Sequence, residues 1–371
     1  MKKALIHDWY YVNGGAEKVI NVLNQLWDDL DHFSLFDFLD DNDRKQILRG
    51  KSVKTTFIQK LPFVRKKHKI YLQLFPYAIE QIDLNEYELI ISSSSSVAKG
   101  VLTNSNQLHI CYCHSPARYA WDLYHEYMQD VSLRGIKGLY ARYILHKFRN
   151  WDVLSSNRVD HFIANSHFIA KRIKKNYNRD CAVIYPPVNT DYFTIKEEKQ
   201  EYYFTASRLV SYKKIQLIVE AFNKRPDLKL IVAGDGSEFK KIKNIANNNI
   251  EMLGSINDEL LKKYLQLAKA FVFAAKEDFG ILPVEAQACG TPVIAYGYGG
   301  LLETVIENKT GVFFEKQTID SLLDAIHRFE KMVFVPKIIR QNALRFASER
   351  FENEIKTFVE KKYMEFLNKK D

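Results

Sequence analysis

Short runs of β-branched and aromatic residues alternate with stretches whose apolar positions recur at helical spacing through nearly all of the 371 residues. A parallel sheet imposes that alternation, because each strand needs a crossover, usually a helix, before its parallel neighbour can begin. In the first half the predicted strands are residues 4–8, 34–38, 88–92, 109–113 and 161–164. In the second half they are 202–205, 229–233, 250–253, 270–274, 292–295 and 311–314. Each half therefore reads as a doubly wound unit. The predicted fold class is α/β, with two Rossmann-like parallel-sheet domains facing a cleft, where small-molecule sites usually form.

The break between the halves is expected at Tyr185-Pro186-Pro187-Val188-Asn189-Thr190-Asp191, where two prolines stop regular structure, followed by the polar run 196–201. That gives domains at 1–190 and 191–350, and residues 352–370 read as an amphipathic helix. The serine run 92–96 follows a predicted strand and reads as a tight strand-to-helix turn.

Composition supports this picture: 46% hydrophobic and 27% charged residues are near the averages for globular proteins. No stretch approaches the roughly 18 apolar residues of a spanning helix, and the N-terminus Met1-Lys2-Lys3-Ala4-Leu5-Ile6-His7-Asp8 meets a charged residue before any signal-peptide core could form, so a cytoplasmic start is expected. The four cysteines have no framework spacing and read as free thiols. Cys111-x-Cys113-His114 lacks a second ligand pair at zinc spacing, so no metal is expected. The net charge of +9 is concentrated. Lys60, Arg65, Lys66, Lys67 and Lys69 interleave with apolar residues, and Arg134, Lys137, Arg142, Lys147 and Arg149 form a second stretch. Such segments fit an anionic membrane face as well as a solvated helix face. Nucleic acid is not among the expected partners.

Three segments carry candidate chemistry. In Asp8-Trp9-Tyr10-Tyr11-Val12-Asn13-Gly14-Gly15-Ala16-Glu17-Lys18-Val19, a strand passes through a glycine pair into a helix. Gly14 and Gly15 let the backbone approach an anion at a helix N-terminus, although a plain tight turn fits equally. In Ala206-Ser207-Arg208-Leu209-Val210-Ser211-Tyr212-Lys213-Lys214, Arg208 and Lys213 follow the first strand of the second half. From a strand's carboxyl end both cations can reach the crevice of such sheets and hold a diphosphate. The third segment runs from Glu277-Asp278-Phe279-Gly280-Ile281-Leu282-Pro283-Val284-Glu285 to Gly290-Thr291-Pro292. It places Glu277 after a strand, a glycine turn, and then Glu285 on a helix with Pro283 in its first turn. Two carboxylates so placed can accept hydrogen bonds from sugar and ribose hydroxyls, while the amides of Phe279, Gly280, Ile281 and Leu282 meet phosphate or sugar oxygens. Paired carboxylates also suit a glycosidase, which needs a separation that sequence does not give.

Glu277-x7-Glu285, Arg208-x4-Lys213 and Gly14-Gly15-x-Glu17 together resemble the retaining GT-B glycosyltransferases, family 4 (glycosyl transferases group 1), over nearly the whole chain. Ile6-His7-Asp8-Trp9, Cys111-Tyr112-Cys113-His114-Ser115-Pro116 and Arg118-Tyr119-Ala120-Trp121-Asp122 look most like its mannosyltransferase branch, which builds bacterial O-antigen and capsule chains from GDP-mannose. The resemblance implies that Arg208 and Lys213 hold the donor diphosphate, Glu277 contacts the donor sugar and Glu285 the ribose. It also implies that the Gly14-Gly15 loop closes over the phosphates and that Ile256 packs on the base, although Ile256 fits an ordinary loop anchor nearly as well. His114 would face the donor sugar near the transfer site, with Arg118 and Asp122 as further candidates. The last helix, within 351–371, would cross back to the first domain. No cofactor is implied beyond the nucleotide-sugar donor, the acceptor would be a lipid-linked saccharide, and attachment to the inner face of the cell membrane would be peripheral.

Asp29-Leu30-Asp31 and Asp41-Asn42-Asp43 imitate the metal-binding Asp-x-Asp of the other main glycosyltransferase fold, but read better as helix ends and turns. Charge on the departing diphosphate would then fall to Arg208, Lys213 and backbone dipoles. A UDP-sugar transferase and a nucleotide-sugar 2-epimerase of the same fold remain open. An NAD-dependent oxidoreductase should show Gly-x-Gly-x-x-Gly, which Gly14-Gly15 does not supply. A non-catalytic scaffold would have had little reason to keep the whole cation and carboxylate set.

Overall fold

Every strand pairing among the described residues, 1–130, 135–196 and 198–369 of this computed structural model, is parallel. The chain divides into one unit of Met1–Pro187 with Phe351–Asp371 and a second of Val188–Arg350, so the division falls inside the expected double-proline turn. Strands of the first unit are β1 (Lys3–His7), β2 (Leu30–Ser34), β3 (Val53–Thr55), β4 (Leu89–Ser94), β5 (Leu108–Cys113), β6 (His161–Ala164) and β7 (Cys181–Val183). Their order is β3-β2-β1-β4-β5-β6-β7. The second unit holds β8 (Tyr202–Ala206), β9 (Lys229–Ala233), β10 (Ile250–Gly254), β11 (Ala270–Phe273), β12 (Val293–Tyr296) and β13 (Gly311–Phe314), ordered β10-β9-β8-β11-β12-β13. In both sheets the order reverses beside the first strand, between β1 and β4 and between β8 and β11. Connections leave in opposite directions there, which opens a crevice at the carboxyl ends.

The expected strand at 34–38 is displaced: the strand is Leu30–Ser34. Asp31 and His32 hid it by breaking the apolar run. Asp31 accepts a hydrogen bond from the Tyr87 hydroxyl at 2.6 Å, and buried His32 bonds Asn24 at 2.9 Å and Tyr10 at 3.1 Å. Residues 35–38 are apolar because they run beside the loop after β1, with Tyr10 N donating to Phe36 O at 3.0 Å and Phe38 N to Tyr10 O at 2.9 Å. The serine run is not simply a turn either, since Ser92, Ser93 and Ser94 complete β4. The turn that follows is capped by Asp8, which is buried and accepts from the amides of Ser95 at 2.6 Å and of Val97 and Ala98 at 2.7 Å.

Helix Ser348–Leu367 lays Phe351, Ile355 and Val359 into the first unit's core, where the Phe351 ring meets Tyr112 at 5.8 Å. Asp29 pairs with Lys3, while Asp41 and Asp43 open helix Asp41–Leu48, so both Asp-x-Asp pairs are spent locally. Arg134, Glu197 and Lys370, named in the basic stretch, the polar run and the terminal helix, lie outside the described residues.

Candidate functional site

In the second unit Arg208, Lys213 and Glu277 follow the two strands at the reversal between β8 and β11. The chain leaves β8 through Ser207 and Arg208, and this turn lies against the one after β9. Gly234 has φ +124°, and a Cβ there would stand 1.8 Å from the Ser207 carbonyl oxygen, so only glycine admits that approach. Arg208 is exposed, and its guanidinium donates to the Tyr212 hydroxyl at 2.9 Å. Lys213 closes the short turn Ser211–Lys213 ahead of helix Ile215–Asn223. Its ammonium forms an ion pair with Glu277 and stands 5.8 Å from the centre of the Phe273 ring. The expected cation and carboxylate therefore meet across adjacent strands.

Glu277 follows β11, and its carbonyl accepts from Gly300 N at 2.9 Å. Gly280 caps helix Ile281–Ala288 with φ +89°, a conformation that costs glycine little. The first amides of a helix have no partner within it, the feature by which a helix N-terminus can meet an anion. The Phe279 ring is buried and packs against Phe346, with the ring centres 5.3 Å apart. Glu285 is 2% exposed in the second turn. Ile256 is partly buried in the connection after the edge strand β10.

The first unit holds the other candidates. Gly14 caps helix Gly15–Leu26, and its amide donates to Glu17 Oε2 at 3.0 Å. The other Glu17 oxygen lies 3.4 Å from His7 Nε2. His7 Nδ1 stands 3.0 Å from the Ser93 carbonyl oxygen and 3.2 Å from its hydroxyl, which is 2.8 Å from His114 Nε2. His114 thus ends a chain of polar groups leading from the glycine turn across the carboxyl ends of β1, β4 and β5. Burial works against a charged ring at His7, but the hydrogen bond and charge of Glu17, with Asp8 beside it, raise its pKa above the usual value. Burial, and secondarily the charge of His7, lowers the pKa of His114 to about 3, so this ring is neutral at physiological pH. Asp122 pairs with buried Arg172. Ser93 and Gly234 were not singled out from sequence; the signals available were a serine run following a predicted strand and Gly234-Asp235-Gly236 directly after another.

Residues 13–192 match the family model for Glycosyltransferase Family 4, and residues 191–345 match that for Glycosyl transferases group 1. The chain belongs to the glycosyltransferases. An uncharacterized glycosyltransferase of Methanocaldococcus jannaschii is 24% identical over 345 residues, 91% of each chain. A GDP-mannose-dependent monoacylated alpha-(1-6)-phosphatidylinositol monomannoside mannosyltransferase of Corynebacterium glutamicum is 32% identical over 135 residues, 32% of this chain and 35% of that protein. Anabaena HepE, solved with UDP and glucose, superposes with a TM-score of 0.72 at 17% identity, covering 97% of this glycosyltransferase and 100% of HepE. That likeness shows the fold, GT-B.

Proposed function

We propose that this glycosyltransferase moves a hexosyl group, mannose from GDP-mannose, to a hydroxyl of a lipid-linked oligosaccharide, retaining the anomeric configuration and using no metal ion. The observation that carries the reading is the Lys213–Glu277 pair beside Arg208 at the reversal between β8 and β11. Breaking the bond between the anomeric carbon and the diphosphate oxygen leaves positive charge on the sugar and negative charge on the phosphates. Arg208, Lys213 and the amides at Gly280 and Ile281 stabilise the latter as it develops, and Glu277 accepts from sugar hydroxyls. Glu285 binds the ribose, Ile256 packs on the base and His114 faces the donor sugar. The acceptor oxygen bonds to the anomeric carbon on the face the diphosphate leaves, and its proton passes to a phosphate oxygen.

The mannosyl reading rests on sequence resemblance and on the Corynebacterium relative's dependence on GDP-mannose. The fold neighbour bound to UDP and glucose makes a uridine donor the second reading. Thermal unfolding with GDP-mannose, UDP-glucose, UDP-GlcNAc and UDP-galactose separates them. A ligand that binds only the folded state, at a hundred times its dissociation constant, adds about 2.7 kcal/mol. GDP-mannose should raise the melting temperature most. A larger rise with a UDP-sugar assigns the donor to that base, and no rise with any of the four removes the nucleotide-sugar reading. Product mass balance excludes the 2-epimerase if the sugar appears on the acceptor.

Peripheral attachment is proposed through the first unit. Phe63, Ile70, Ile136 and Leu139 are 75%, 59%, 87% and 67% exposed. The Tyr140 hydroxyl donates to Gln73 Oε1 at 2.5 Å, tying helix Gly135–Ser156 to the turn His68–Leu74. Exposed Arg65, Lys66, Lys67, Lys69 and Lys137 lie on the same elements or directly beside them. Apolar side chains that enter the headgroup layer, flanked by cations, suit an anionic bilayer. Among the described residues no helix is long and apolar enough to cross one. The protein should sediment with vesicles containing anionic phospholipid and remain in solution with neutral ones, and Leu139→Asp should weaken pelleting. Sedimentation unaffected by anionic lipid counts against this attachment.

A further inference from the structure

His7, Glu17 and Ser93 are buried polar groups that the proposed reaction leaves without a role, and all three lead to His114. A hydrogen bond between a hydroxyl and an imidazole nitrogen can run in either direction, so the contact between Ser93 and His114 alone does not say which nitrogen of His114 carries hydrogen. The neighbours decide it. The Ser93 carbonyl oxygen, 3.0 Å from His7 Nδ1, can only accept, so that nitrogen carries a hydrogen. The same hydrogen lies 3.2 Å, measured between heavy atoms, from the Ser93 hydroxyl oxygen. The hydroxyl hydrogen therefore finds no lone pair at His7 and is left with His114 Nε2, at 2.8 Å. His114 Nε2 must then accept.

We infer that Ser93, aligned by the His7–Glu17 pair, fixes His114 as the tautomer with hydrogen on Nδ1, and that these three are positioning residues for the donor-sugar role of His114. The second half of the inference rests on that role, proposed above; the first half does not. Two further observations agree. Glu17 holds His7 Nε2 with one carboxylate oxygen and the Gly14 amide with the other, so both ring nitrogens of His7 are engaged as donors. The backbone of His114 is fixed independently, its amide donating to Ser94 O at 2.9 Å and its carbonyl accepting from Asn165 Nδ2 at 2.9 Å. With the backbone pinned and Nε2 occupied, Nδ1–H is the one ring donor left to meet a sugar oxygen. A ring in the other tautomer offers a lone pair there, which can accept from a sugar hydroxyl but cannot donate to a sugar oxygen. The chain of groups also begins at the glycine turn, so displacement of Gly14 loosens Glu17, then His7, then the hydroxyl that orients His114.

Nitrogen NMR of protein labelled with ¹⁵N-histidine reads the tautomer directly, because protonated and bare ring nitrogens resonate far apart. The His114 signals are assigned among the ten histidines by their absence in His114→Gln. Wild type should show a protonated Nδ1 and a bare Nε2. Ser93→Ala should move His114 to the other tautomer or to a mixture, and Ser93→Thr, which keeps the hydroxyl, should retain the wild-type pattern. If Ser93→Ala does not fold, Ser93→Cys keeps the volume and replaces the hydroxyl by a weak donor. Transfer assays on the same proteins should show kcat falling roughly tenfold to a hundredfold in Ser93→Ala, with donor KM nearly unchanged and rate recovered in Ser93→Thr. An unchanged His114 tautomer in Ser93→Ala and Ser93→Cys overturns the inference. A changed tautomer with full transfer activity upholds the assignment by Ser93 and removes His114 from the reaction.

Discussion

Arg208→Ala should lower the rate of sugar transfer at saturating donor by about a hundredfold to a thousandfold, the loss expected when one fixed donor to a developing anion is removed, roughly 2.7–4 kcal/mol of barrier. The fold should not suffer. Arg208 is exposed, and the hydrogen bond from its guanidinium to the Tyr212 hydroxyl lies at the surface. A melting temperature within a degree or two of wild type, together with lost turnover, separates this role from a structural one. Arg208→Lys should be intermediate, because an ammonium keeps the charge but not the planar fork that binds two phosphate oxygens at once. Lys213→Ala is a less clean test, since Glu277 loses its ion-pair partner as well. Near-wild-type transfer by Arg208→Ala shows that the departing diphosphate is stabilised by other groups.

The second sheet was legible because its strands other than the edge strand β10 are mostly buried and nearly unbroken apolar runs, and each of the six predicted segments overlaps one of β8 to β13. The first sheet was legible in part. β3 and β7 are edge strands of three residues, too short to show a period. At β2 the polar residues that bind Tyr87, Asn24 and Tyr10 interrupt the run, while its apolar continuation is loop. Side-chain hydrogen bonding of that kind leaves no period in a sequence, so a pattern search slides to the nearest apolar stretch.

The candidate site divides in the same way. Arg208, Lys213 and Glu277 could be read because each follows a predicted strand, and a charged residue at a strand's carboxyl end has few structural duties there. Ser93 could not be read, since a serine within a serine run gives no reason to prefer one position over its neighbours. Its importance arises from pairing in the sheet, which sets Ser93 beside His7 on one strand and beside Tyr112 on the other, one strand end away from His114. Contacts between residues about 20 and about 90 positions apart are set by register alone, and single-sequence periodicity carries no register between parallel strands.

Lys99→Met should destabilise the first unit by about 3–5 kcal/mol, a large share of the total for any domain. Lys99 is 1% exposed and forms an ion pair with Asp152, which is fully buried. The second Asp152 oxygen accepts from Trp121 Nε1 at 2.7 Å and from the Tyr177 hydroxyl at 2.9 Å. Methionine fills the volume of the lysine stem, so the cost comes from a carboxylate left in the core with hydrogen bonds but no cation. The double variant Lys99→Met, Asp152→Asn tests that cause. Asparagine keeps an acceptor oxygen toward Trp121 or Tyr177 without the charge, and part of the lost stability should return. Urea titration followed by tryptophan fluorescence isolates the relevant unit, because Trp9, Trp27, Trp121 and Trp151 all belong to it and the second unit has none. A Lys99→Met midpoint equal to wild type at unchanged slope means that the pair contributes nothing net. A double variant less stable than Lys99→Met means that the asparagine, and not the unpaired charge, sets the cost.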